Sequence, residues 1–321
     1  MSGRKTGGRL SIFATAAVLS VMVAACATNQ VEGREPVAWS AGQFYSALTS
    51  ESGVDAEFGI AYGSNPRQKL DIYRADPAAE KAPIVIFYYG GSWREGDRAT
   101  YKFVGTALAK RGYTTIIPDY RLFPEVQFPG FVDDGAKAYG WVGNNAARIS
   151  RNSCGERPII VIGHSAGAHT AAMLSLDRSY LDRHAKGARP PAAMIGLAGP
   201  YAFDPTTWPS TKEVFASARG NADWARPVAF VPRAAAPPTL LLHGGDDDTV
   251  KLYNTRDLAA AIKANGQQVR VVEYPGIGHV GLILSVSAPL RWRAPTLDDM
   301  VAFIDQQGAK PCAVPLTSKT R

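Results

Sequence analysis

The sequence predicts an α/β protein whose mostly parallel sheet is covered by helices on both faces. Three observations lead to that expectation. Short apolar runs alternate with helix-like stretches along most of the chain, as parallel strands joined by crossover helices require. One run, Ile159-Ile160-Val161-Ile162, is continuously β-branched, which suits a strand buried on both faces. It leads through Gly163-His164-Ser165-Ala166-Gly167 directly into the helix-compatible Ala168 to Leu174, a strand, tight turn and helix in succession.

The elements follow in order. Residues 26–57 are polar and irregular and read as a tether before a domain spanning 58–308. Lys69 to Tyr73 alternates at period two, the pattern of a half-exposed strand, and Ile84 to Tyr88 is a continuous apolar strand. Tyr101 to Ala109 reads as a helix stopped at Arg111-Gly112, and Thr114 to Ile117 as a strand closed by Pro118. Phe131 to Asn144 is helical, and the glycine-flanked serine with its strand and helix comes next. Ala192 to Leu197 and Thr239 to Leu242 are short strands, Leu258 to Ala264 a helix, Gln268 to Tyr274 a strand and Leu297 to Gln307 a closing helix. Residues 309–321 form a tail. Between two late strands, residues 200–238 make a long proline-rich excursion carrying Tyr201, Phe203, Trp208, Phe215, Trp224 and Phe230. Excursions of that length in a compact domain are usually lids. It is expected to cap a substrate pocket formed with Trp93, Tyr201, Phe203 and Trp208; the alternative is a surface excursion whose aromatics fill a small core of their own.

A serine between two glycines at a strand-to-helix turn is the signature of a nucleophile elbow, which lifts the Ser165 hydroxyl above the sheet edge. The Ala166 amide, opening the helix, then points where an oxyanion would form. Serine needs a base, and the base needs a carboxylate to fix its tautomer. On this arrangement the chain order is serine, acid, histidine. His164 and His169 crowd the serine, His184 precedes any acid at a strand end, and His243 closes a strand. His279, in the glycine loop after the last strand, is left as the base. The acid is one of Asp246, Asp247 and Asp248, which follow the penultimate strand. Three adjacent aspartates lack the further ligands of a cation loop, so no metal and no other cofactor is expected.

Tyr89-Gly90-Gly91-Ser92-Trp93 after the Ile84 strand, Asp119-Tyr120-Arg121-Leu122, Pro124-Glu125, the elbow and the two late loops together resemble the hormone-sensitive-lipase-like branch of the α/β-hydrolases. That branch includes carboxylesterases and kynurenine-formamidase-like enzymes. The resemblance spans residues 63 to 304 and implies the α/β-hydrolase fold. His243-Gly244-Gly245-Asp246-Asp247-Asp248-Thr249-Val250 is similar to the family's H-G-x-x-D-x-x-V acid loop, and that alignment selects Asp247. The resemblance also implies oxyanion donors at the amides of Gly91, Ser92 and Ala166. Tyr89 stands where the family has histidine, so loop packing is expected to differ. The implied activity is hydrolysis of small to medium acyl esters through an acyl-enzyme. The alternatives are arylformamide hydrolysis and a catalytically silent envelope protein that only binds partners.

The 321 residues allow one large α/β domain or two small ones, with an ordinary hydrophobic share of 46%. The net charge of +7 includes Arg4, Lys5 and Arg9 at the start, and the remaining basic residues are scattered. Nucleic-acid binding is therefore unsupported. After that basic start, an alanine-rich apolar run ends in Val23-Ala24-Ala25-Cys26, which resembles the lipobox of bacterial lipoproteins. The resemblance implies a signal peptide over 1–25, acylation of Cys26 and export to the cell envelope; the alternative is an uncleaved membrane anchor, since the run is about long enough to cross a bilayer. Ala27 in place of aspartate points to the outer membrane. With Cys26 acylated, Cys154 and Cys312 remain in an oxidising compartment and are expected to pair as a disulfide. The expected partners are thus a small ester and, through Cys26, a membrane, with no obligate protein partner.

Overall fold

The computed structural model describes residues 41–307 apart from 78, 82, 150–156 and 234. The expectations for the signal peptide, Cys26, Cys154, Cys312 and the tail lie outside the described residues.

Eight strands form one sheet in the order β1-β2-β4-β3-β5-β6-β7-β8. The strands are β1 (Asp55–Ala61), β2 (Lys69–Arg74), β3 (Ile84–Tyr88), β4 (Thr115–Pro118), β5 (Ile159–His164), β6 (Ala193–Leu197), β7 (Thr239–Gly244) and β8 (Val269–Tyr274). β2 runs antiparallel to both β1 and β4, while the pairs from β4 through β8 are parallel. The helices are α1 (Ala41–Ala47), α2 (Lys102–Ala109), α3 (Gly130–Asn144), α4 (Ala146–Ile149), α5 (Ala166–Leu176), α6 (Ser179–His184), α7 (Tyr253–Ala264), α8 (His279–Leu284) and α9 (Thr296–Gln306).

The expected α/β-hydrolase architecture is observed. Its central strands are buried throughout, because helices cover both faces and leave no solvated side for polar residues. From β3 the chain crosses to β4 on one side, and after β5 it moves outward on the other. β3 and β5 are neighbours, so the loops leaving their carboxyl ends diverge and open a crevice. Tyr88 lies opposite Gly163 and His164 opposite Leu197, which puts the glycine loop, the elbow and the end of β6 on one rim. Leu242 is level with Leu197, and Gly244 with Tyr274, so the loops after β7 and β8 reach the same rim.

One boundary and one exposure pattern differ from expectation. The fold begins before residue 58: α1 occupies 41–47, with Ser46 Oγ donating to the Thr100 carbonyl at 2.7 Å, and β1 starts at Asp55. β2 is not half-exposed, since only Lys69 reaches solvent. Its polar residues are buried because they are paired, Asp71 with Arg98 at 2.6 Å and Arg74 with Glu57 at 2.5 Å.

Candidate active site

Ser165 stands between β5 and α5 with φ 54° and ψ −122°, a conformation L-residues avoid. Such strain persists only where the surroundings impose it. Here α5 lies close against the sheet: a Cβ on Gly167 would come within 2.0 Å of the Tyr88 carbonyl oxygen. The Ser165 amide is tied to the Leu197 carbonyl at 2.9 Å. Every residue of α5 is buried, and its alanines and glycine allow that depth. Among the described residues the Ser165 hydroxyl makes no hydrogen bond, which leaves it uncommitted.

The loop after β3 turns beside the serine. Gly91 has φ 130°, and a Cβ there would meet the Glu95 carbonyl oxygen at 2.1 Å. Ser92 and Trp93 also have positive φ, at 51° and 59°. Trp93 anchors the loop by packing on Phe215, His169 and Phe131 at ring separations of 4.8, 5.4 and 5.8 Å. Among the described residues the amides of Gly91 and Ser92 donate to no protein acceptor, as donors reserved for an oxyanion should.

Tyr89 answers the question raised by its replacing histidine. Its ring is stacked between Tyr120 and Tyr101, at 4.7 and 5.4 Å. Its hydroxyl donates to Asp119 Oδ1 at 2.8 Å and accepts from Arg67 Nη2 at 2.9 Å. Tyr120 donates to the Tyr89 carbonyl at 2.7 Å, so ring and backbone are both held beneath the loop. Asp119 also pairs with Arg98, and Arg121 binds both oxygens of Asp134 at 2.7 and 2.8 Å.

Of the three aspartates, Asp247 is the buried one, while Asp246 and Asp248 are exposed. Asp247 Oδ1 accepts the amides of Thr249 and Val250 at 2.9 and 2.8 Å. Its Oδ2 accepts from His279 Nδ1 at 2.7 Å. Burial pushes the carboxyl up, but the His279 hydrogen bond and charge and the Val250 amide hold it below the usual carboxylate range. Asp248 instead pairs with Lys251 at 3.3 Å. His243 holds the acid loop, with Nε2 facing the Val250 carbonyl at 2.9 Å and Nδ1 facing Thr255 Oγ1 at 2.7 Å.

His279 is the first residue of α8, following Gly278. With Nδ1–H committed to Asp247, its Nε2 is the nitrogen with a free lone pair. His164, next to Ser165 in the chain, lies against the His279 ring at 4.9 Å, tilted by 37°, and faces its carbonyl through Nε2 at 3.3 Å. The His279 ring is thereby held near the turn that carries Ser165. Burial and the neighbouring His279 push the His164 pKa down to about 3, so it stays neutral.

A cavity of about 110 Å³ opens over Ser165, Ala166, Ser92 and Trp93. Phe203 and Trp208 line it as expected. Tyr201 does not: it is fully buried, its ring against Gly196 and Gly199 beneath the end of β6. The excursion is thus divided, with Phe203 and Trp208 facing the cavity and Tyr201, Val214 and Phe215 completing the core. The opposite wall, Val250, Tyr253 and Asn254, was missed from sequence. The sequence pattern placed the helix start at Leu258, whereas α7 begins at Tyr253, next to the acid loop.

Comparison with known proteins places the chain among esterases. The family model described as BD-FAE matches residues 70–262. Esterase LipC of Mycobacterium tuberculosis is 29% identical over 247 residues, covering 68% of this chain and 58% of its own. The isoprenylcysteine alpha-carbonyl methylesterase ICME of Arabidopsis thaliana is 28% identical over 265 residues, covering 76% and 61%. The chain therefore spans about six-tenths of the length of these relatives. Among solved structures, an inhibited esterase B from Lactobacillus rhamnosis superposes with a TM-score of 0.70 at 18% identity, covering 92% of this chain and 96% of its own. At that identity the likeness speaks for the fold.

Proposed function

The chain belongs to the BD-FAE family, and on that premise we propose that it is a serine carboxylic ester hydrolase acting on small acyl esters. The observation that carries this reading is the 2.7 Å bond from His279 Nδ1 to the buried Asp247, on the same rim as the strained Ser165. His279 Nε2 takes the Ser165 proton as Oγ attacks the ester carbonyl. Asp247 stabilises the imidazolium that results. The amides of Gly91, Ser92 and Ala166 receive the oxyanion, each such donor being worth about 3 kcal/mol in the transition state. His279 returns the proton to the departing alcohol, and water then releases the acyl group by the same route. The small cavity, walled by Phe203 and Trp208, favours short acyl groups.

The test is hydrolysis of p-nitrophenyl acetate and butyrate by the wild type and by Ser165→Ala. The wild type should turn over both esters and the variant neither. Turnover retained by Ser165→Ala would refute the assignment.

The lipobox supports an envelope-anchored lipoprotein acylated at Cys26. Palmitate labelling that is lost in Cys26→Ala would bear this out, and labelling that persists would refute it. The proposed Cys154–Cys312 disulfide predicts a linked peptide in an unreduced digest, whereas two freely alkylated thiols would exclude it.

A further inference from the structure

The hydroxyls and amides facing the cavity do not explain how its width is set. Asn254, in the first turn of α7, is 3% exposed, and each of its side-chain hydrogen bonds goes to backbone. Its Oδ1 accepts the amides of Ala202 and Phe203 at 2.9 and 3.0 Å, and its Nδ2 donates to the Lys251 carbonyl at 3.0 Å. Two donors on one side and an acceptor on the other leave only one orientation for the amide group. Ala202 and Phe203 open the excursion after β6. Lys251 ends the loop that carries Asp247. One side chain therefore joins the two walls of the cavity, and both walls contribute lining residues next to it: Phe203 on one side, Val250 and Lys251 on the other. Phe203 in turn meets Trp208 edge to face at 6.4 Å, which carries the restraint outward to the mouth. The next residue, Thr255, holds the acid loop through His243. The start of α7 thus secures both the triad's acid and the cavity's aromatic wall.

We propose that Asn254 is a specificity-determining positioning residue that fixes Phe203 against the cavity and so limits the length of acyl chain accepted. The proposal rests on the ester-hydrolase reading above. Breaking the clamp at either end lets the backbone at 202–203 part from the acid loop, and Phe203 recedes. Space then opens for longer acyl groups, which the native wall excludes. The effect falls on chain-length preference, because the Asn254 side chain bonds to the backbone of residues 202, 203 and 251 and, among the described residues, to neither Ser165 nor His279.

Asn254→Asp is the discriminating substitution. A carboxylate still accepts the two amides but sets an oxygen against the Lys251 carbonyl in place of a donor, so the clamp parts at its acid-loop end and the side chain moves away together with residues 202–203. The readout is the ratio of kcat/KM for p-nitrophenyl hexanoate to that for p-nitrophenyl acetate. Because both substrates are measured on the same preparation, any inactive or unfolded fraction cancels from this ratio. A residue that merely stabilised the fold would leave it unchanged. The expected result is a rise of about tenfold. Phe203→Ala, which removes the wall and keeps the clamp, should raise the ratio similarly, and adding Asn254→Asp to it should produce no further rise. A ratio unchanged in Asn254→Asp, or effects that multiply in the double variant, would overturn the proposal. If Asn254→Asp does not fold, an unchanged ratio in Phe203→Ala overturns it alone. Failure of the ester-hydrolase reading has a different signature: ester turnover absent in the wild type, or persisting in Ser165→Ala.

Discussion

Replacing Asp247 by asparagine changes one atom and should disable the site through a proton in the wrong place. Asp247 Oδ1 accepts two backbone amides, from Thr249 and Val250, so the asparagine oxygen must stay on that side. Its NH2 group then faces His279 Nδ1, where the carboxylate oxygen now sits at 2.7 Å. An NH2 group only donates. The imidazole must therefore offer Nδ1 as a lone pair and carry its proton on Nε2, the nitrogen that has to receive one from Ser165. A triad locked in that tautomer loses about 10⁴-fold in kcat, or about 5.4 kcal/mol of transition-state stabilisation. KM should move little, because Asp247 does not line the cavity. Fold stability should change modestly, since the buried polar group keeps its amide partners. Steady-state hydrolysis of p-nitrophenyl acetate, with thermal melting of the same samples, measures all three quantities. Asp248→Asn and Asp246→Asn are the controls. Both aspartates are exposed, and both variants should stay within about twofold of wild type, as surface changes away from the site usually do. An Asp247→Asn enzyme with more than a tenth of wild-type kcat would refute the reasoning, as would a collapse in either control.

Other consequences follow from the same geometry. Tyr89→Phe keeps the stacked ring but removes the hydroxyl between Asp119 and Arg67; it should lower kcat about tenfold with KM nearly unchanged and cost about 1–2 kcal/mol in urea unfolding. Unaltered kcat would show that the glycine loop does not depend on that hydroxyl. Gly167→Ala drives a methyl group against the Tyr88 carbonyl and should cut ester hydrolysis by at least about 10²-fold while lowering Tm, since a misplacement near 1 Å already costs that much; full activity would mean the elbow is not held as described. His164 and His169 have pKa values pushed down to about 3 and about 4, chiefly by burial. The unfolded chain binds their protons below about pH 6.5, where the folded protein does not, so their contribution is complete above that pH. It is lost as the pH falls towards 4, at up to about 1.4 kcal/mol per unit for each group, and urea titrations at pH 7, 6 and 5 should show the decline. A stability flat across that range would contradict it.

Much of this site was legible because its chemistry is concentrated in short motifs. Gly163 to Gly167 announces the elbow, since few other residues fit where α5 meets β3. Chain order alone isolates His279. Choosing among the three aspartates needed the family's acid-loop spacing, and the structure brings the same one, Asp247, to His279. What stayed hidden depended on contacts between distant segments. β1 and α1 are short and mixed in polarity, and their order comes from pairing with β2 and packing near Thr100, which no local pattern shows. β2 alternates like a half-exposed strand, yet Asp71 and Arg74 are buried because ion partners arrive from elsewhere. Tyr201 and Phe203 look alike in sequence, and only the closure of β6 over Tyr201 separates core from cavity wall. Asn254 carried no apolar signal and lay ahead of the periodic stretch that marked its helix.

The most direct measurement of the central claim is covalent. The purified enzyme is treated with a fluorophosphonate, digested, and the modified residue located by tandem mass spectrometry. One stoichiometric adduct is expected, on Ser165, with ester hydrolysis lost in step with labelling and no adduct in Ser165→Ala. Stoichiometric labelling of a different residue, or full ester turnover by enzyme whose Ser165 is completely modified, would contradict it.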